Sequence, residues 1–76
     1  MRNTAKQHRS IAILTREVGS FRDGLTGLTG DALRFGGMAL CQELLDLHDL
    51  MTERDPMLAL SLRNWITVVQ THAGVA

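Results

Sequence analysis

From Asp31 to about His72 the chain reads as two helices separated by a short turn at Thr52 to Pro56. On both, apolar residues cover more of the circumference than one helix-to-helix contact can bury. That surplus must be covered by a third element of the same chain, by a second copy, or by a different protein.

The boundary of the last helix is the sharpest. Asp55 stands where a side-chain oxygen caps a first turn, and Pro56 follows at the first helical position, where a missing amide proton and a fixed φ cost nothing. Gly74 marks the end, with His72 in the last turn. Leu58, Leu62, Trp65, Ile66 and Val69 share one face, whereas Met57, Leu60 and Val68 lie partly or wholly off it. Trp65, the single tryptophan, is expected in the core.

The middle helix, opened by Thr29 or Asp31 and running to about Met51, carries a broad stripe of Leu33, Gly37, Leu40, Cys41, Leu44, Leu47, His48 and Met51. Leu45 and Leu50 fall away from that stripe. Gly36 and Gly37 either divide a short leading helix from the main one or let a neighbouring backbone approach closely. A connector of roughly four or five residues makes the two helices antiparallel neighbours.

Six of the seven glycines lie between Gly19 and Gly37, three of them spaced by three in Gly-Leu-Thr-Gly-Leu-Thr-Gly. Each disfavours helix by about 1 kcal/mol relative to alanine, so loop or loosely turned backbone is expected, tied to the core by Phe21, Leu25 and Leu28. The run lacks the Gly-Lys-Ser/Thr ending of a phosphate loop and the GxGxxG spacing that follows a strand in dinucleotide sites.

Upstream, Ser10 to Val18 fits two templates. Ile11, Leu14 and Val18 fall on one helical face, and Ile11, Ile13 and Thr15 alternate as in a strand. A strand would find no second strand in this chain, so a helix of about three turns is expected, starting near Thr4 or Ser10 and stopping at Gly19. An intermolecular two-stranded ribbon is the alternative.

The 76 residues suffice for one small domain, whose stability margin is thin. Cys41 is the lone cysteine, so no internal disulfide adds to it, and a reducing compartment is expected. The polar, basic start lacks the apolar core of a secretory signal, and no apolar run approaches membrane-spanning length, so a cytoplasmic, non-membrane protein is expected.

Charge sums to zero but is segregated. Residues 1–22 carry five basic groups (Arg2, Lys6, Arg9, Arg16, Arg22) against one acid, and residues 23–76 carry three against seven. A basic arm on an acidic body can touch phosphate, bind an acidic partner, or lie across a neighbouring subunit.

Specific chemistry finds little support. Glu43, Asp46 and Asp49 form an acidic ridge beside His48, without the repeated spacing of a metal site. Cys41 and His48 are two turns apart, about 10 Å, too far to share one zinc ion. Ser61 and His72 lie about 16 Å apart along one helix, and nothing near Cys41 would make it a thiolate. No catalytic, metal or cofactor-binding residue is assigned.

For nucleic acid, a helix-turn-helix reading of Asp31 to Leu47 leaves a first helix of barely a turn and a half and turns Glu43 and Asp46 towards phosphate. A ribbon-helix-helix reading meets a long glycine-rich gap where the motif wants a short one. The expected architecture is therefore all-α. A basic flexible arm (1–10) precedes one three-helix domain (11–76) with a C-terminal antiparallel helical hairpin, dimeric. The expected function is that of a non-catalytic adaptor or regulator. It pairs with itself and with a larger protein through Leu45, Leu50, Met57, Leu60 and Val68. The alternative is a small DNA-associated regulator using Arg2, Lys6, Arg9 and Arg16.

Overall fold

The computed structural model describes residues 9–75, which form three helices and, among the described residues, no strand: α1 (Ile11–Asp23), α2 (Gly30–Arg54) and α3 (Pro56–Ala73). The helix-or-strand ambiguity at Ser10 to Val18 resolves as helix. Ser10 caps α1, its side chain accepting from the Ile13 amide at 3.3 Å.

α1 does not stop at Gly19. It runs one further turn to Asp23, which brings Phe21 onto the face of Leu14 and Val18 and buries all three. Burying a phenylalanine is worth about 1.5–3 kcal/mol, more than the 0.5–1 kcal/mol that a mid-helix glycine costs, so the tertiary contact wins. The true stop is Gly24 at φ 71°. The Leu25 amide donates back to the Ser20 carbonyl at 2.8 Å and the Gly24 amide to the Phe21 carbonyl at 3.4 Å, closing the helix end.

The glycine-rich segment is loop only over residues 24–29, shorter than its composition suggests. Leu25 does not tie it to the core but stands in solvent, and Leu28 is exposed on one side while touching Gly36. α2 then runs unbroken through Gly36 and Gly37. Of the two roles open to that pair, close approach is the one observed, because a side chain at Gly37 would collide with the Ala73 methyl.

α2 continues to Arg54, past the expected end at Met51, and Asp55 alone separates it from α3. Asp55 accepts from the Leu58 amide at 3.1 Å and Pro56 follows at the first position, as the sequence indicates. Thr29 precedes α2 but its side chain makes no cap bond.

The core consists of Leu14, Val18 and Phe21 from α1, Leu40, Leu44 and Leu47 from α2, and Ala59, Leu62, Val69 and Ala73 from α3. Among the described residues no polar or charged side chain is buried. Helix α3 packs against both other helices and Trp65 lies half-buried against the core, so α2 and α1 each keep an outward face.

Candidate interaction surface

The outward faces are apolar in several places. Of the residues singled out from sequence, Met57 is 74% exposed, Leu60 60%, Leu50 50% and Leu45 44%. Met57 and Leu60 are three apart at the start of α3 and so lie side by side on its surface. Val68 is half-buried and packs on the core.

The structure adds residues that the periodicity argument did not single out. Phe35 is 59% exposed and Met38 is also exposed, both in the opening turns of α2, and Ile13 projects from α1. The sequence carries a signal for Met38, which is seven residues from Leu45 and shares its face of a helix. It was masked by the adjacent Gly36-Gly37, which made the helical character of those turns doubtful.

Met38 and Leu45 flank a groove of about 290 Å³ along the α2–α3 seam, lined also by Cys41, Gln42, Ile66, Gln70 and Val75. Cys41 lies half-buried in it, with Sγ 3.8 Å from the Ile66 carbonyl oxygen, and burial pushes its thiol pKa up, so the sulfur is a neutral lining atom near pH 7. A second groove, of about 370 Å³, lies where α1 meets the loop, lined by Phe21, Leu25, Leu28 and Gly36 together with Glu17, Ser20 and Thr26.

The basic set is divided. Arg2 and Lys6 lie outside the described residues. Arg9 is drawn onto the body of its own chain. Its guanidinium donates from Nε at 3.1 Å and from Nη2 at 2.6 Å to Glu43 Oε1, its backbone amide reaches Glu43 Oε2 at 3.2 Å, and Nη1 pairs with Glu17. Its hydrogen bonds to Glu43 first, then to Glu17, raise the guanidinium pKa further above its ordinary value. Arg16 is exposed on α1.

The acidic ridge is correspondingly engaged: Glu43 by Arg9, Asp46 by the Gln42 amide nitrogen at 3.0 Å, and Asp49 by His48 Nδ1 at 3.2 Å. Asp23 is held below the ordinary carboxylate pKa by its hydrogen bond from Arg22. Ser61 and His72 are both exposed on α3. Among the described residues no group of three or more histidine, cysteine, aspartate or glutamate side chains converges as metal ligands would, and no helix is long and apolar enough to cross a membrane. No protein family, curated protein or solved structure matches this chain.

Proposed function

We propose that the protein is a non-catalytic interaction module of the cytoplasm, an adaptor or regulator that works as a small helical homodimer and docks on a larger protein. The observation that carries this reading is the set of large apolar side chains left in solvent around a core that is already complete. Met57, Leu60, Phe35 and Leu50 are each at least half exposed, while the interior has no buried polar or charged side chain among the described residues. Burial of each such side chain is worth about 1.5–3 kcal/mol, so a few of them moved into an interface match the 5–15 kcal/mol net stability of a typical domain. Solitary exposed leucines are ordinary. Grouped apolar side chains, as Met57 beside Leu60 and Met38 lining one groove with Leu45, are the arrangement that docking surfaces use.

In this reading α2 and α3 form an antiparallel hairpin. The closeness of Gly37 to Ala73 and of Cys41 to Ile66, with Asp55 alone linking the helices, supports that pairing. The nucleic-acid alternative draws less support, because Arg9 is occupied by Glu17 and Glu43 and α2 presents acids.

Affinity capture from the source cell separates the two classes. Protein retained by the wild-type chain is expected to survive nuclease treatment and added salt, and to be lost when Met57 and Leu60 are both changed to serine. Retention that vanishes with nuclease, or with Lys6 and Arg16 changed to alanine, overturns the reading in favour of nucleic acid.

A further inference from the structure

Self-pairing needs a face that is complementary to itself, and α2 has one. At 100° per residue, Arg34, Met38, Leu45 and Asp49 fall within roughly 60° of one another, about 140° round the helix from the buried Leu40, Leu44 and Leu47. All four are exposed. The two apolar members flank the α2–α3 groove, and the two charged members lie beyond them, one at each end of the stripe.

The spacing is symmetric. Met38 and Leu45 are centred between Cys41 and Gln42, and Arg34 and Asp49 are centred on the same point. A second α2 laid antiparallel across a two-fold axis at that point therefore sets Met38 against Leu45 of the other copy, and Arg34 against Asp49 of the other copy, twice over. Parallel pairing in register would set Arg34 against Arg34 and Asp49 against Asp49. Charge thus selects the antiparallel arrangement and disfavours the parallel one.

Neither charged group is locked away by its present partner. Arg34 reaches Asp31 at 3.4 Å, with the two side chains 50% and 78% exposed, and Asp49, whose side chain is 71% exposed, meets the neighbouring His48. Asp31 would lie opposite Thr52 of the other copy, so no like charge opposes it. The stripe from residue 31 to 52 is about 32 Å long, and Ile66 and Gln70 of α3, with Val75 just past its end, widen it across the groove.

We infer that the outward stripe of α2 is the self-pairing seam, occupied by a second copy running antiparallel, with crossed Arg34–Asp49 ion pairs closing both ends. This rests on the homodimer reading and assigns Met57 and Leu60 to a different partner.

The test is a charge swap read by sedimentation equilibrium at low salt, with circular dichroism showing that each variant stays helical. R34D sets two carboxylates against each other at each end of the seam, and D49R sets two guanidinium groups against each other. Each is expected to raise the dimer dissociation constant roughly tenfold or more, and R34D/D49R together to restore it to near the wild-type value. M57S/L60S is expected to leave it unchanged. A dimer indifferent to both single reversals, or one broken by M57S/L60S, overturns the α2 seam while leaving the homodimer standing. Single reversals that weaken pairing without rescue by the double swap overturn the antiparallel register. A wild-type chain that is monomeric throughout overturns both the seam and the homodimer.

Discussion

Gly19 and Gly37 are both helical glycines, and their surroundings predict opposite outcomes for the same substitution. A methyl group at Gly37 meets the Ala73 methyl, which is itself buried and cannot swing aside, so the two helices must separate. At Gly19 the nearest atom is the flexible end of Arg22 at 3.5 Å, an ordinary contact. Gly37→Ala is expected to destabilise the fold by about 1–3 kcal/mol, and Gly19→Ala to stabilise it by about 0.5–1 kcal/mol, as read by urea denaturation. A Gly37→Ala variant as stable as wild type would remove close packing as the reason for that residue. At this scale the sequence was legible where periodicity decides. Every member of the α2 stripe from Leu33 to Met51 is buried or half-buried, and Leu45 and Leu50 are exposed as their angles require. It was illegible where a distant contact decides. Nothing local to Gly37 announces Ala73, and nothing local to Leu25 says that its loop leaves it in solvent.

Helix ends follow the same division. Asp55-Pro56 was readable because capping chemistry is local: the carboxylate and the amide it accepts from are three residues apart. The end of α1 is not readable at Gly19, because a local propensity of about 1 kcal/mol is outweighed by the burial of Phe21, which only the folded chain reveals. The cap assignments give a paired prediction. Asp55→Ala, which loses a real side-chain bond, is expected to cost about 1 kcal/mol in a thermal or urea melt, whereas Thr29→Ala, which loses none, is expected to stay within a few tenths. Equal costs at the two positions would contradict the observed geometry. Arg9 shows why the candidate site was only partly legible. Its place in a basic run suggested an external phosphate, yet Glu43, 34 residues away, receives it.

For the molecule as a whole, the sequence conveyed the class of fold and the surplus of apolar surface, because both follow from how many helical faces carry leucine, methionine and phenylalanine. It did not convey how that surplus is distributed, which depends on where α1 lies against α3. On the proposed function, a single copy leaves docking surface uncovered and a second copy covers part of it. Sedimentation equilibrium of the wild-type chain across a dilution series tests this most directly. The expected result is a species of twice the 8.4 kDa protomer mass that dissociates on dilution, with a melting temperature that falls as the dimer is lost. A chain that sediments as one 8.4 kDa unit at every concentration, melts cooperatively at an unchanging temperature and binds no hydrophobic dye would rule out self-pairing.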